Sequence, residues 1–370
     1  MRVMVAMSGG VDSSVAAGLM VEAGHEVVGL TMKLRDTTPE ERAGRSASCC
    51  SPDDLMDARQ VCDALGIPHY IVDYREVFYN HVIQPFAESY LSGLTPNPCV
   101  QCNDHVKFAP LLERAQALGA EALVTGHYAR VTEENGLYAL RKAACLDKDQ
   151  SYFLFGLGQA ELSRLVFPLG DMDKDEVRQH AQAMGLPNWD KADSEDICFV
   201  PTGDYGRVVE KIVGADRVPR SGPIVDESGA QVGEHRGIHR YTIGQRKGLG
   251  ISGSDRLYVL SVDADKDTLT VGPRARLAAS GLRAERCVWV GGERPAELFQ
   301  AAVRIRYRSQ DVPAEILVDG DRMLVRFEAP QTAVAPGQAV VIYQDDRVLG
   351  GGWIERAIEV SAEAAVEHRG

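Results

Sequence analysis

Two cysteines lie three residues apart in the stretch TPNPCVQCN, where Cys99 and Cys102 follow two prolines. A polar stretch typical of a helix start, which includes Lys107, comes directly after them, and a thiol near a helix N-terminus and a lysine has a lowered pKa. A third candidate, Cys198, belongs to another predicted loop, DSEDICFVPTGDYG. Cysteines placed in this way are typical of a metal site, a redox pair or a nucleophile with a helper.

The spacing of the cysteines disfavours a four-cysteine zinc site. The only other close pair, Cys49 and Cys50, is adjacent, which is a poor spacing for zinc ligands. A three-thiolate iron–sulfur site built from Cys99, Cys102 and Cys198 stays open on chemical grounds. We assign no metal ligand from the sequence. We interpret the remaining single cysteines as buried structural residues: Cys62, Cys145 and Cys287.

The stretch AMSGGVDSS follows a short apolar strand and leads into a helical pattern. Gly9 and Gly10 allow close approach of the backbone to a ligand, and serine hydroxyls and helix-start amides favour an anion there. The chain contains no GxxxxGK[ST] motif, and this turn lacks the GxGxxG spacing. The stretch resembles the SGGxDS loop of ATP pyrophosphatases, which cleave ATP between the α and β phosphates. Asp12 would then lie near Mg²⁺ and the leaving pyrophosphate, whereas the alternative is a serine-capped helix after a glycine turn.

The elements that must position these residues change in character along the chain. Residues 1–204 alternate apolar strands with helical patterns, which predicts a Rossmann-like parallel sheet with helices on both faces. Residues 205–280 predict a small, mostly-β central domain, residues 281–358 a C-terminal β-barrel and residues 359–370 a tail. Within the first domain we predict strands at residues 3–7, 26–32, 69–74 and 122–131, helices at 53–65, 76–91 and 109–118, and a polar loop that runs to Cys50.

Charge and composition restrict the partners. The net charge of −13 disfavours a polyanionic partner when it is taken alone. Residues 202–308, however, hold 18 Lys and Arg against 13 Asp and Glu, so a nucleic-acid surface in the second half is allowed. No apolar run has the length of a membrane span, and the start lacks the pattern of a signal peptide. We therefore expect a cytoplasmic protein with no membrane partner, whose eight cysteines are not a disulfide framework.

The motifs, in their order along the chain, resemble those of the tRNA-uridine 2-sulfurtransferase family, the MnmA/TrmU tRNA-specific 2-thiouridylases. The similarity covers nearly the whole length and includes SGGVDSSVAA, TPNPCVQCN, VKF, VTGHYAR, KDQSYFL, FPLG, DSEDICF, YTIGQRKGL and RIRYR. It implies an N-terminal PP-loop ATP pyrophosphatase domain, a central domain and a C-terminal β-barrel. It also implies that ATP adenylates the C2 oxygen of the wobble uridine and that persulfide sulfur replaces this oxygen, with release of AMP and pyrophosphate.

The resemblance also implies residue roles. Cys102 corresponds to the nucleophile and Cys198 to the persulfide carrier, and a disulfide between them must be reduced after each turnover. The ATP site would comprise Ala6, Met7, Ser8, Gly9, Gly10, Val11, Asp12, Ser13, Met32 and Gly126. The target-base segment would be Asn97, Pro98 and Cys99. The tRNA contacts would be His127, Lys148, Asp149, Gln150, Arg306, Tyr307 and Gln338. The expected partners are tRNA and a sulfur donor protein that carries a persulfide, and the expected cofactors are ATP and Mg²⁺.

Some assignments stay open at this stage. Position 99 varies between Cys and Asp in the family, so Cys99 weakens an essential-acid role there and slightly favours metal binding. Three acids flank Cys198, and we interpret them as loop solvation or partner contact: Asp193, Glu195 and Asp196. The rival functions are a PP-loop amide-forming ligase, which needs no loop thiols, and a nucleotide sensor that binds RNA without catalysis.

Overall fold

The computed structural model describes residues 1–36, 52–193, 197–200, 203–251 and 256–360. The predicted polar loop up to Cys50, the acids Glu195 and Asp196, and most of the predicted tail lie outside these ranges. Statements below about the structure refer to the described residues.

The first domain is built on a parallel sheet, as predicted. Its strands are β1 (Arg2–Ala6), β2 (Glu26–Lys33), β3 (His69–Asp73), β4 (Ala122–Val124) and β7 (Leu165–Val166). They lie in the order β3-β2-β1-β4-β7, and every neighbouring pair is parallel. β1 reads RVMVA, and its three central residues are fully buried. Because β1 and β4 are central, the loops after them meet at one edge of the sheet, where ligands of such folds bind.

Helical segments cover and extend this sheet. They are Val11–Glu22, Pro52–Leu65, Arg75–Phe78, Gln84–Leu91, Pro98–Cys102, Ala109–Ala117, Gln159–Leu162, Lys174–Ala183 and Tyr205–Val213. Two π-helical turns, Tyr79–Ile83 and Asn103–Phe108, join neighbouring segments. Short 3₁₀ turns lie at Leu146–Lys148, Ser151–Leu154, Ala215–Arg217, Ile238–Arg240 and Arg274–Leu277.

The prediction of one strand over residues 122–131 is wrong. β4 ends at Val124, and the chain enters a second sheet as β5 (Ala129–Glu134), which pairs in antiparallel fashion with β6 (Leu137–Lys142). The turn between them is Asn135–Gly136, and both residues have positive φ, at 53° and 78°. Asn-Gly is the strongest short hairpin signal, because two-residue turns of this kind need left-handed backbone at both positions.

The central domain is a four-stranded sheet, which agrees with the predicted mostly-β character. Its strands are β8 (Gly222–Val225), β9 (Gln231–His235), β10 (Leu257–Asp263) and β11 (Thr268–Pro273), in the order β10-β11-β8-β9. The helix Tyr205–Val213 precedes this sheet but packs on the helix Gln84–Leu91 of the first domain. The rings of Tyr90 and Tyr205 stack there with their centroids 4.6 Å apart.

The last part of the described chain forms a closed barrel, which confirms the predicted β-barrel. Its strands are β12 (Ala278–Trp289), β13 (Leu298–Arg304), β14 (Val312–Asp319), β15 (Arg322–Thr332), β16 (Ala339–Gln344) and β17 (Arg347–Glu359). The order β12-β15-β14-β13-β16-β17 closes because β12 also pairs with β17. The β5–β6 hairpin joins the outside of this barrel through the bridge between Arg141 and Arg347.

Candidate nucleotide and thiol site

The phosphate loop runs from the end of β1 to the helix that begins at Val11. Ser13 Oγ accepts a hydrogen bond from Ser8 N at 3.1 Å and donates to the carbonyl of Gly10 at 3.1 Å. Ser14 Oγ donates to the same carbonyl at 2.9 Å. Gly10 itself provides no side-chain cap for the helix. The serine side chains therefore stabilise the loop rather than cap the helix. The backbone N–H groups at the start of the helix are then suited to bind an anion in the loop.

Two glycines allow the close packing around this loop. Gly9 has φ +76°, and an added Cβ would collide with the main-chain carbonyl of Asp54. Gly126, one residue beyond the Thr125 that follows β4, has no room either, because an added Cβ would lie 2.7 Å from Ser13 N. The two predicted ligand-binding positions thus meet at the sheet edge, although their numbers differ by more than a hundred.

Asp12 lies in a network of charges beside the loop. Its Oδ1 accepts hydrogen bonds from Tyr128 Oη at 2.8 Å and from Lys174 Nζ at 2.7 Å, and its side chain is 33% exposed. Lys174 also bonds to Asp193 at 2.7 Å, and Lys148 holds the other oxygen of Asp193 at 2.9 Å. A carboxylate paired with a lysine beside a Gly-rich loop suits a metal-bound triphosphate, since each group can exchange its partner for the ligand.

Asp193 forms ion pairs in this site, so its interpretation as loop solvation is corrected. Burial alone would raise the pKa of Asp193, but the hydrogen bonds from Lys174 and Lys148 hold this pKa below its usual value. The carboxylate is therefore charged at neutral pH, binds both lysines and helps to hold Lys174 next to Asp12.

Several residues of the site were missed from the sequence. Asn188 Nδ2 donates to the carbonyl of Gly9 and to Ser14 Oγ, both at 3.0 Å. Lys191 Nζ reaches the same carbonyl at 3.0 Å and pairs with Asp54 at 2.6 Å. These residues lie about 180 positions after the loop they support. No local pattern indicates such a contact.

The two candidate thiols share one apolar cluster on the helical side of the first domain. Cys102 is buried at the end of the helix Pro98–Cys102, and half-buried Cys198 packs on the same cluster. Phe199 anchors the Cys198 loop, because its ring meets the ring of Phe86 at 4.9 Å. Arg35 Nη2 also donates to the carbonyl of Cys198 at 3.2 Å. The fold thus brings together two cysteines that are distant in the sequence.

The segment before Cys102 has a defined geometry. Asn97 is buried, and its side chain caps the helix by accepting a hydrogen bond from Val100 N at 3.4 Å. Pro98 occupies the first helical position, where its missing N–H costs nothing. Cys99 is exposed in the first turn. Of the predicted target-base residues, Cys99 is therefore the side chain presented to solvent.

The described residues contain no group of three or more His, Cys, Asp or Glu side chains arranged to hold a metal ion. Cys99 faces solvent, whereas Cys102 lies in the apolar cluster. Of the three cysteines predicted to be buried, Cys62 is buried, whereas Cys145 and Cys287 are half-buried. Burial raises the pKa of Cys62 and that of Cys287 to about 12, which keeps both as unreactive thiols.

A carboxyl group with a shifted pKa lies two residues after Cys102. Burial, and then the charge of Glu161, raise the pKa of Asp104 to about 7. Its Oδ1 is buried with no hydrogen-bond partner, and Gly156 packs directly over it. Asp104 belongs to the π-helical turn Asn103–Phe108, and such turns often occur at functional sites.

The predicted tRNA contacts in the first domain lie in two environments. Lys148 is half-buried and pairs with Asp193, whereas Asp149 is 2% exposed and accepts hydrogen bonds from four groups of the protein. Gln150 Oε1 accepts a hydrogen bond from Tyr128 N at 3.0 Å. His127 bonds to Thr125, and burial, helped by the Lys107 cation, holds its pKa well below the ordinary value, so the ring is neutral at pH 7.

Two of the predicted tRNA contacts of the barrel, Tyr307 and Gln338, pack on or bond to residues of the first domain. Arg306 is exposed, and Tyr307 packs its ring on Phe153 with centroids 4.4 Å apart. Gln338 Nε2 donates to the carbonyls of Thr95 and Pro96 at 3.0 and 3.1 Å. The barrel thus supports the chain directly before the target-base segment.

Within the described ranges, every helix is too short or too polar to cross a lipid bilayer.

The fold and the site define a class: a nucleotide-binding α/β domain with an SGGxDS loop and a thiol pair, followed by two β domains. Comparison with family models agrees domain by domain. Residues 1–202 match the model described as tRNA methyl transferase HUP domain. Residues 210–273 match the tRNA methyl transferase PRC-barrel domain, and residues 279–354 match the aminomethyltransferase beta-barrel domain.

Curated full-length relatives give the particular family. A tRNA-specific 2-thiouridylase MnmA of Chloroflexus aurantiacus is 49% identical over 96% of this chain and 98% of its own. Proteins of the same name from Syntrophotalea carbinolica and Geotalea uraniireducens are 50% and 49% identical, over 95% and 99% of this chain and 98% of each relative. The chain therefore belongs to the tRNA-specific 2-thiouridylase MnmA family, which confirms the resemblance seen in its motifs.

Proposed function

We propose that this protein catalyses the ATP-dependent 2-thiolation of the wobble uridine of tRNA. One observation carries the proposal: Cys102 and Cys198 pack on one apolar cluster of the domain that bears the SGGVDSS loop. An activating nucleotide loop and two thiols in one domain suit the replacement of oxygen by sulfur. The names of the relatives, tRNA-specific 2-thiouridylases, support the same substrate.

The first step is adenylation. The C2 oxygen of the uridine attacks the α phosphorus of ATP, the bond between the α phosphorus and its bridging oxygen breaks, and pyrophosphate leaves. The loop Ala6–Ser13, with Gly126 beside it, would hold the phosphates, and Lys174 would compensate charge on the leaving pyrophosphate. Met32, near the end of β2, is our candidate for the adenine side of the site.

Asp12 is the residue of this site whose chemistry suits Mg²⁺. Asp12 offers a partly exposed carboxylate at the loop, and a magnesium ion is typically held by one or two carboxylates together with phosphate oxygens. The ion would neutralise charge on the leaving pyrophosphate. Tyr128 holds the carboxylate in place, and burial and the Asp12 charge raise the pKa of Tyr128, which keeps its phenol a hydrogen-bond donor.

The second step is sulfur transfer. In one route the terminal sulfur of a Cys198 persulfide attacks C2, and the C2–O bond breaks with release of AMP. The Cys102 thiolate then attacks the Cys198 sulfur, which leaves sulfur on C2 and a Cys102–Cys198 disulfide. In the other route Cys102 attacks the persulfide first, and the released sulfide attacks C2. A reductant of the dithiol class must cleave the disulfide in both routes.

Two partners follow from this scheme. tRNA would contact the predicted residues of the first domain and the barrel, where Arg and Lys can bind phosphate and Tyr can stack on an unpaired base. A persulfide-carrying donor protein must load Cys198. Reduced thiols are stable in the cytoplasm, which is the compartment we propose.

Substitution of the cysteines tests the function. Chelator-treated protein is incubated with unmodified tRNA, ATP, Mg²⁺ and a persulfide donor, and 2-thiouridine is measured on a mercury-retarding gel. We expect Cys102→Ser and Cys198→Ser each to lower thiolation at least about a hundredfold, because serine can neither carry a persulfide nor close the disulfide. Cys99→Ser is run alongside as the third thiol of the rival cluster, and Cys287→Ser, a thiol of the barrel outside this site, is the control that should keep activity within about threefold.

The same assay separates the rival functions. A different outcome is thiolation that is found only after an iron–sulfur cluster is rebuilt and that is lost in the variants of Cys99, Cys102 and Cys198. This result would support an iron–sulfur mechanism instead of the persulfide mechanism. An amide-forming ligase would keep tRNA-independent AMP formation with serine at both Cys102 and Cys198. A nucleotide sensor would bind ATP and tRNA without forming AMP.

A further inference from the structure

Three buried charges and the half-buried Asp311 meet where the β5–β6 hairpin packs on the barrel. The Arg304 network comprises Lys142, Asp149, Arg304 and Asp311, together with the ring of Tyr343. Lys142 and Arg304 are 6% and 9% exposed, and Asp149 is 2% exposed. Two cations alternate with two carboxylates, so the network is neutral as a whole.

Arg304 is the centre of this network. Its Nε donates to Asp311 Oδ1 at 2.7 Å, and its Nη1 donates to Asp149 Oδ2 at 2.9 Å. Its guanidinium also lies over the ring of Tyr343, with Cζ 4.9 Å from the ring centroid. Lys142 binds the other oxygen of Asp311, and its ammonium lies 4.3 Å from the centroid of the same ring. The Nη1 of Arg304 thus links the barrel to the first domain, whereas its Nε binds Asp311 of the barrel itself.

The two carboxylates belong to the two segments proposed to contact tRNA. Arg304 and Asp311 flank the loop 305–310, so their ion pair closes the base of the loop that carries exposed Arg306 and half-buried Tyr307. Asp149 lies between Lys148 and Gln150, and its other oxygen accepts hydrogen bonds from the backbone N–H groups of Ala143 and Ser151. Among the described residues, Arg304 is therefore the one side chain that bonds to both carboxylates, one for each segment.

We propose that Arg304 is a positioning residue that holds the segment 148–150 and the loop 305–310 in one orientation for tRNA. The proposal rests on the proposed function, since it presumes that these segments contact tRNA. Arg304 is itself buried, so it acts through the two carboxylates. A planar fork with several donors suits this task, whereas lysine offers a single point charge that cannot span two carboxylates in the same geometry.

The test compares Arg304→Lys with the wild type by two readouts, the KM for each substrate and direct binding of unmodified tRNA. We expect the KM for tRNA and the dissociation constant to rise at least about fivefold, because small misplacements of positioning groups have large effects. The KM for ATP should stay within about twofold, since the phosphate loop is untouched. Arg326→Lys is the matched control, because Arg326 pairs with Glu315 on the exposed face of the same barrel.

A second variant and a double variant keep the test decisive. Asp311→Asn weakens the ion pair at the base of the loop, while Arg304 keeps its bond to Asp149. This variant should also raise the KM for tRNA, and it serves as the test if Arg304→Lys does not fold. If Arg304 acts through the loop, adding Arg306→Ala to Arg304→Lys should raise this KM by less than the product of the two single effects.

Each outcome has one meaning. Unchanged tRNA binding in folded Arg304→Lys, equal rises in both KM values, or strictly multiplicative effects in the double variant would overturn the inference. Wild-type protein that binds tRNA but forms no 2-thiouridine would overturn the proposed function alone, because the binding comparison still reports on Arg304. Wild-type protein that does not bind tRNA would overturn both.

Discussion

At the residue scale, Lys174 is one of several residues of the candidate site that no sequence motif indicated, together with Asn188 and Lys191. Lys174 bonds both Asp12 and Asp193, and its side chain is 11% exposed. We expect Lys174→Met to raise the KM for ATP about tenfold or more and to leave the KM for tRNA within about twofold, because a charge-assisted contact to phosphate is lost. Steady-state kinetics with each substrate varied in turn measures both values.

The matched control is Lys266→Met. Lys266 is 78% exposed in its ion pair with Asp263 of the central domain, far from the phosphate loop in the fold. A rise in the KM for tRNA with an unchanged KM for ATP in Lys174→Met would assign this lysine to the RNA surface instead.

Asp104 gives a pH prediction with a defined sign. Its pKa is raised from 3.8 to about 7 in the folded protein, mainly by burial, so the folded state holds the proton more tightly than the unfolded chain does. The contribution of Asp104 to stability is therefore fully present below about pH 4 and is lost as the pH rises towards 7. The shift corresponds to a loss of up to about 4 kcal/mol.

Asp104→Asn removes this titration. We expect the variant to gain stability relative to the wild type as the pH rises from 5 to 8, and urea unfolding of both proteins at these pH values measures the difference. Parallel pH curves for the two proteins would mean that Asp104 is solvated rather than buried.

At the element scale, the site depends on how β4 ends. The sequence predicts one strand over residues 122–131, which includes TGHYARV. The break after Val124 has a tertiary cause: Gly126 must pass within contact distance of Ser13, and the chain then leaves for the barrel. Contacts of this kind are invisible to local patterns, whereas the Asn135–Gly136 turn was a readable signal that the longer strand obscured.

Gly126→Ala tests this close approach. Because the new Cβ would lie 2.7 Å from backbone atoms of Asp12 and Ser13, the phosphate loop must move, and we expect the affinity for ATP to fall at least about tenfold. Titration calorimetry with ATP and Mg²⁺ measures this affinity. The control is Gly291→Ala, because an added Cβ there meets nothing within 4 Å. Wild-type ATP affinity in Gly126→Ala would show that the nucleotide lies elsewhere.

At the scale of the whole molecule, the sequence predicted the architecture and left its interfaces hidden. The parallel sheet, the mostly-β central domain and the barrel were each readable from apolar periodicity and turn residues. The contacts between these domains were not readable from the sequence. They include polar bonds between residues far apart in the chain, such as that of Arg304 to Asp149 and that of Gln338 to Thr95. The phosphate loop and the cysteines were readable for the opposite reason, since their chemistry requires particular residue types at fixed spacing.

The hydrogen bonds from Gln338 to Thr95 and Pro96 have a consequence for folding during synthesis. The chain is made from its N-terminus, so the phosphate loop and Cys102 leave the ribosome long before β16 and β17 exist. The backbone before Asn97 finds its partner in Gln338 only after nearly all of the chain has been translated, and the barrel closes only when β17 pairs with β12. A nascent chain can therefore complete the support of the backbone before Asn97 only after the strands of the barrel have been made.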